Sequence, residues 1–289
     1  MDSHIKSPID LKQAAKRIDS LPAMPIIAQK LLALKLDTDQ DEQQMLLLIA
    51  QDPLISARII GLANSPLVAA SRKVNTIKDA SLLLGLKRVH SVSTSLAIMS
   101  KMNQSVGRLN IHALWEHNMG IAFAMLAIVR AMPAKMRPND DLTFLAGMLH
   151  DIGYSVLAHL DVESSDKLQT RMITEPNRFS LSIEREIVEV THDELGAELA
   201  QHWNLPEEIV VAIRCHHAVQ ESGPNQPLAR IINLAEKLLP SFGFHELIDT
   251  TIIPEDWLAL GIDPERAEEI STQVTEQAEQ ASQFASSFS

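Results

Sequence analysis

The chain has 289 residues, 46 % of them apolar, with 4 % aromatics, 10 glycines and a formal charge of −12, which provides for a large core and argues against a sheet-rich fold. The acidic balance opposes bulk attachment to nucleic acid or anionic lipid, both of which need a positive surface. Met1 to Lys16 lacks the basic start and apolar run of a signal peptide, no stretch holds the roughly 18 uninterrupted apolar residues of a membrane span, and a single Cys215 excludes an internal disulfide; the expected compartment is the cytoplasm.

Helix signals begin early and continue throughout, so the predicted fold class is all-α. Asp39 with Glu42, and Thr76 with Asp79, have the spacing of reciprocal N-terminal caps and predict helices from about 40 and 77. Asp52 before Pro53 predicts another start, because a proline in the first turn lacks only an amide proton that would go unpaired anyway. Asn64-Ser65-Pro66 reads as a helix end in which Asn takes left-handed geometry, a structural role. Ile77, Ala80, Leu83 and Leu84 recur at helical spacing until Gly85 stops the helix and Leu86 opens the next. Lys87–Arg88 is the compact basic pair of this half, and a solvated helix face explains it as well as a nucleic-acid contact does.

The polar stretch Asn103–Gly107 predicts a boundary between an N-terminal helical bundle, residues 1–107, and a second helical lobe, residues 108–289. In that lobe His117 falls on a helix from about 109 to 132, with the small residues Gly120 and Ala124 near its own face. Residues 142–160 read as one helix whose core stripe is Leu145, Met148, Leu149, Ile152 and Val156, with His150–Asp151 on its flank. Gly147, one turn before Asp151, permits close approach of another backbone or a ligand. Thr191 and Glu194 form a capping box that puts His192 in a first helical turn. Ile209, Ile213, His216 and His217 follow helical spacing, so an apolar stripe ends in imidazoles beside Cys215, itself read as a buried small hydrophobe. Asp263 before Pro264 opens a last helix, with Ala267, Ile270 and Val274 as its apolar face, that frays into Ser286–Ser289.

Neutral imidazole nitrogen beside anionic carboxylate oxygen suits borderline metals. Each histidine alone fits a hydrogen-bonded core residue better than a ligand, but five of them on the helices of one predicted core leave both readings open. There is no Gly-rich phosphate loop to support nucleotide binding of the Walker or Rossmann kind.

Taken in order, several segments resemble the HDOD family, a branch of the HD phosphohydrolase superfamily found in bacterial signalling proteins. In the first lobe they are Leu21-Pro22-Ala23-Met24-Pro25, Asp52-Pro53-Leu54, Ala63-Asn64-Ser65 and Leu84-Gly85-Leu86-Lys87-Arg88. In the second they are Leu114-Trp115-Glu116-His117, the run from Leu145 through His150-Asp151-Ile152-Gly153, His192-Asp193-Glu194-Leu195-Gly196-Ala197 and Trp203-Asn204-Leu205-Pro206. The resemblance implies an N-terminal helical bundle packed against an HD-like helical lobe, and a regulatory role with catalysis usually lost. It also implies a signalling protein or a small phosphorylated ligand as partner; a nucleic-acid partner is opposed by the acidic balance, and a membrane by the lack of an apolar span. The superfamily pattern maps onto His117, His150, Asp151 and Glu236, and a cyclic-dinucleotide-hydrolysing branch adds His192, His216 and His217. These are the implied ligands of a divalent metal (Fe, Mn, Zn, Ni or Mg), with Asp151 the implied catalytic group if the chain is a phosphohydrolase. Two positions depart: Glu236 stands where an Asp is expected, and Tyr154 where the hydrolytic branch has a Lys to stabilise phosphate oxygens. By itself Glu236 also reads as an ordinary helix-surface carboxylate.

Overall fold

The computed structural model describes residues 21–68, 70–102, 107–223, 226–240, 244 and 246–286. It is 72 % helical, with no strand among these residues. Among the described residues, five helices form the N-terminal bundle: α1 (Ile26–Leu32), α2 (Asp39–Ala50), α3 (Pro53–Ala63), α4 (Ile77–Leu84) and α5 (Leu86–Met102). The second lobe follows with α6 (Ile111–Ala131), α7 (Asp140–Leu149), α8 (Ile152–Leu160), α9 (Val162–Thr174), α10 (Ser180–Val188), α11 (His192–His202), α12 (Glu207–Cys215) and α13 (Pro227–Leu238), then α14 (Pro254–Leu258) and α15 (Ala267–Ser286).

Most helix starts have the caps that the sequence indicates. The Asp52 carboxylate accepts from the amides of Leu54 and Ile55, and Thr76 accepts from the amide of Asp79. The first expected cap lies one residue too late: Thr38, not Asp39, is the N-cap, and its reciprocal partner is Asp41. A hydroxyl at Thr38 exchanges hydrogen bonds with the third helical residue, which Asp39 and Glu42 cannot do once both are inside the helix. Asn64 ends α3 with ordinary negative φ (−96°), so the left-handed expectation is wrong. Its side chain instead takes the place of a β-bridge: Nδ2 donates to the carbonyls of Ile60 and Val74, and Oδ1 accepts from the Val74 amide. Gly85 does take a positive φ, +87°, between α4 and α5. Asp263 caps a short 3-10 turn, Pro264–Arg266, and α15 begins after it.

The two lobes share a core. α5 packs across α7, the Trp203 indole donates to the Pro22 carbonyl at 2.8 Å, and the Arg58 guanidinium sits 5.2 Å over the Trp115 ring. Lys87 and Arg88 lie within electrostatic reach of Asp141 at the start of α7, and Arg88 of Asp140 as well; burial and Arg130 lower Arg88, and burial raises Asp141. α15 lies along α6 and buries Ile270, Val274, Ala278, Ala281, Phe284 and Ala285. Residues 103–106 of the expected boundary, the fraying end after Ser286 and the segment Met1–Lys16 lie outside the described residues. No single described helix is long and apolar enough to cross a membrane; α2 and α3 pass that test only as a pair bent by 109°.

Candidate metal centre

The expected single helix over 142–160 is two. α7 begins at Asp140 and stops at Leu149; Asp151 has φ −99° and ψ 13°, outside helical geometry, and α8 starts at Ile152. The break occurs where the chain turns both His150 and Asp151 inward, a pair that a continuous helix would splay by about 100°.

Close helix crossings bring the other groups to this pair. A Cβ on Gly147 would lie 2.6 Å from the Ala122 Cα, so the glycine lets α7 touch α6 and sets His150 against His117. The close approach read at Gly147 is therefore to a backbone. A Cβ on Gly153 would lie 1.8 Å from the His192 carbonyl oxygen, and one on Gly196 would lie 3.2 Å from the Gly153 nitrogen. These two glycines let the starts of α8 and α11 meet, which delivers His192 to Asp151. His216 and His217 follow directly on the end of α12, and α13 supplies Glu236 from its inward stripe.

All seven expected site residues converge. His117 Nε2 lies 3.2 Å from His150 Nε2 and 3.5 Å from Asp151 Oδ2, and His150 Nε2 lies 3.4 Å from both Asp151 Oδ2 and Glu236 Oε1. On the other side of the carboxylate, Asp151 Oδ1 is 3.3 Å from His192 Nε2 and 3.7 Å from His216 Nε2. His192 Nε2 is 3.2 Å from His216 Nε2 and 3.1 Å from His217 Nε2, and His217 Nδ1 is 3.8 Å from Glu236 Oε2. Glu236 is buried at 3 % exposure, which corrects the helix-surface reading of that residue. Cys215 is buried nearby, and burial pushes its thiol up, in keeping with a structural side chain.

The tautomers follow from the outer contacts. His150 Nδ1 lies 2.7 Å from the Gly147 carbonyl and His216 Nδ1 2.7 Å from the Ile213 carbonyl. A carbonyl only accepts, so each Nδ1 carries the hydrogen and a neutral ring turns its Nε2 lone pair inward. The Glu184 carboxylate likewise holds His192, accepting from Nδ1 at 2.9 Å and from its amide at 2.7 Å. Nitrogens at 3.1–3.2 Å with inward lone pairs repel unless a proton or a cation lies between them. Both Asp151 oxygens and Glu236 Oε2 are buried without a hydrogen bond, a costly arrangement unless an ion is to be held.

The spacing fits a metal. At ligand lengths of about 2.1 Å, neighbouring donor atoms stand about 3.0 Å apart in an octahedron and about 3.4 Å apart in a tetrahedron. Several overlapping groups of three donors have their ligand atoms within 4.8 Å of one another, among them His117–His150–Asp151, at 3.2–3.5 Å, and His192–His216–His217, where His192 stands 3.1–3.2 Å from the other two.

Without a cation the centre recruits protons. Burial alone would raise the Asp151 carboxyl, but His150, His192 and His117 hold it well below the usual range. Burial opposes charge on the imidazoles, yet Asp151 raises His150, and Glu184 and Glu246 raise His192. His217 is pushed up to about 9 against the same burial, chiefly by Glu236. His216 is driven the other way by burial and by His217, His192 and His150. A cavity that draws positive charge onto some imidazoles and strips it from another is suited to a cation at its centre.

Two groups around the cluster, Glu184 and Glu246, are absent from the sequence expectations, and a third, Tyr154, has a role they did not include. Tyr154 does not leave a gap where a lysine would be. Its ring stacks on His192 at 4.3 Å, and its hydroxyl lies 2.9 Å from both Glu184 Oε1 and Glu246 Oε1, with burial and the two carboxylates raising the phenol so that it stays a donor. Glu184 could have been suspected, since it continues the inward stripe of Ser180 and Ile183 on α10. Glu246 has no such signal, because it lies on a non-helical segment after α13.

A described all-helical chain with seven His, Asp and Glu side chains meeting in one buried cavity defines a protein of the HD-like helical class. The chain belongs to the HDOD domain family, whose model matches residues 21–219. An uncharacterized protein of Treponema pallidum (strain Nichols) is 27 % identical over 206 residues, 70 % of this chain and 39 % of its own length, so the chain spans well under half of that relative. Among solved structures, a candidate signal transduction protein of Marinobacter aquaeolei VT8 aligns with TM-score 0.79 and 24 % identity over 96 % of this chain and 65 % of its own. A candidate phosphohydrolase of Shewanella amazonensis SB2B aligns with TM-score 0.75 and 18 % identity over 96 % of this chain and 98 % of its own. At these identities the solved structures establish the fold alone.

Proposed function

We propose that the chain is a regulatory HDOD module of bacterial signalling type, with a divalent-cation centre and little or no hydrolysis. His117, His150, Asp151, His192, His216, His217 and Glu236 hold the cation or cations, and Asp151 is shared between the two sides. The single observation that carries this reading is Asp151: a fully buried carboxylate with neither oxygen hydrogen-bonded, Oδ2 facing His117 and His150, Oδ1 facing His192 and His216. Removing such a carboxylate from water is sustained only by positive charge at both oxygens.

Low turnover is supported by Tyr154, whose position offers a phosphate no positive charge, its hydroxyl being engaged by Glu184 and Glu246. A cleft of about 450 Å3, lined in part by His217, Asn233 and Lys237, is the place we assign to a small phosphorylated ligand; its size is ordinary for small-molecule sites. A signalling protein is the other partner class, in keeping with the Marinobacter aquaeolei fold relative. On this reading the helical bundle spans 1–107 and the HD-like lobe 108–289.

The second reading, a metal-dependent phosphohydrolase acting on a nucleotide or cyclic dinucleotide, is favoured by the two-sided Asp151 and by the Shewanella amazonensis fold relative. A bound divalent cation would supply Lewis-acid polarisation and a more acidic water. Asp151 and the imidazoles would orient that chemistry, with Asp151 as the catalytic carboxylate.

Metal content by elemental analysis after reconstitution tests both. We expect stoichiometric metal in the wild type, its loss in Asp151→Asn, and no cleavage of a cyclic dinucleotide or model phosphodiester. A wild type that takes up no Fe, Mn, Zn, Ni or Mg would sink both readings. Metal-dependent cleavage abolished by His150→Ala and Asp151→Ala would replace the first by the second.

A further inference from the structure

Two carboxylates contact His192 from opposite edges of its ring, and they do different things. Glu184 sits on the Nδ1 edge and holds the ring and its backbone amide. Glu246 sits on the Nε2 edge, with Oε1 3.9 Å from His192 Nε2 and 3.5 Å from His217 Nε2. That is the edge from which His192 faces Asp151 and His216. Glu246 therefore stands inside the ring of donors, and it forms groups of metal-ligating spacing with Asp151 and His192 and with His217 and Glu236.

Its placement is built. The Leu247 amide donates to the Ser180 hydroxyl at 3.0 Å and the Leu247 carbonyl accepts from the Ser180 amide at 3.1 Å, fastening this segment to the start of α10. Phe244 is buried against Tyr154 and His117, at ring distances of 5.1 Å and 6.4 Å. The Tyr154 hydroxyl fixes Oε1 at 2.9 Å. A flanking aromatic, a backbone clasp and a hydroxyl all aim one carboxylate at the cavity. Its charge has no Lys or Arg partner among the ion pairs of the described residues; its recorded pairs are His192 and His217.

We infer that Glu246 is a further protein ligand of the centre, closing the side formed by Asp151 Oδ1, His192, His216 and His217. The inference rests on the cation-binding reading above. Centres that turn over substrate keep a coordination position for water, and closed ones are structural. With Glu246 in place, three imidazoles and two carboxylates surround that side, and the cleft beside it is lined by His217 but by none of the other six residues first expected. As a ligand, Glu246 would take a coordination position that a reacting water needs, which would give the proposed lack of hydrolysis a cause besides Tyr154.

The test uses the full chain with Mn2+ as the probe, reading affinity by calorimetry and inner-sphere water by the proton relaxation rate of solvent per bound Mn2+. For Glu246→Ala we expect at least about tenfold weaker binding, since even groups that only support ligands cost 10- to 100-fold, and a higher relaxation rate from a newly admitted water. Glu246→Gln, which keeps an acceptor for the Tyr154 hydroxyl, should weaken binding in the same direction and decides the matter if the alanine variant fails to fold. Wild-type affinity and relaxation rate in a folded variant overturn the assignment of Glu246 while leaving the cation-binding reading intact. Absence of binding by the wild type of Mn2+ and of Fe, Zn, Ni and Mg alike overturns both.

Discussion

A single methyl group on Gly153 would be placed 1.8 Å from the His192 carbonyl oxygen and 2.8 Å from its Cα, against backbone that cannot swing aside as a side chain can. Gly196 differs: its nearest neighbour is the Ile213 side chain at 2.9 Å, which can give way. Gly153→Ala should therefore cost about 3 kcal/mol or more, at the upper end of overpacking effects, and Gly196→Ala less; chemical denaturation of both variants checks the order. Metal content should fall with Gly153→Ala, because the displaced element carries His192. At this scale the sequence was informative about the histidines, since His117, His150, His192, His216 and His217 are chemically distinctive on apolar helix faces. Tyr154 was legible as a missing cation but not as a buried donor to Glu184 and Glu246, because its partners lie 30 and 92 residues away. Glu246 was hidden altogether, lacking both helical periodicity and a capping role.

Between elements, the break at His150–Asp151 could not be read from periodicity, because Leu145, Met148, Leu149, Ile152 and Val156 keep helical spacing across a two-residue interruption. Caps were the more dependable signal: Thr76, Asp52 and Thr191 stand where their spacing placed them, and only the Thr38 start slipped by one residue. The α9–α10 junction is held differently, by a surface network in which Glu186 accepts from Arg171 at 2.9 Å and from Arg178 at 3.2 Å. Hydrogen bonds from Arg178 and then Arg171 depress the Glu186 carboxyl to about 2 from an ordinary 4.5. A carboxyl whose folded-state value is depressed stabilises the fold above its unfolded value and ceases to do so as pH falls through the folded one. Glu186→Gln should accordingly lower the melting temperature at pH 6, with the difference from wild type shrinking below about pH 4.5 and vanishing near pH 2. The network is solvent-exposed, so 1 M salt should shrink the difference at pH 6 as well. A pH-independent difference would assign the effect to packing.

For the molecule as a whole, the lobes meet through the element that carries the centre. α7, which ends at His150, is packed against α6 on one side and against α5 of the N-terminal bundle on another. The Lys87–Arg88 pair lies within electrostatic reach of Asp141 at the same junction, and the Trp203 to Pro22 hydrogen bond and the Arg58–Trp115 stack tie the lobes elsewhere. The all-helical class and the two-lobe plan were legible because every local signal was helical, whereas the shared core was not, since residues 181 positions apart give no joint pattern in the sequence. The physical consequence is that removing the bundle strips α7 of one of its packed faces. A fragment comprising residues 108–289 should expose the α5-facing surface of α7, bind a dye specific for apolar surface, lose the sharp thermal transition of the full chain and retain little metal, even though it contains every candidate ligand. Trp203→Phe in the full chain weakens one of these ties: it removes a hydrogen bond worth about 1 kcal/mol together with part of a buried ring, and should lower stability by at least that amount while leaving metal content unchanged. A fragment that melts cooperatively and binds metal like the full chain would show instead that the second lobe folds by itself and that the bundle is a docked regulator rather than part of the scaffold.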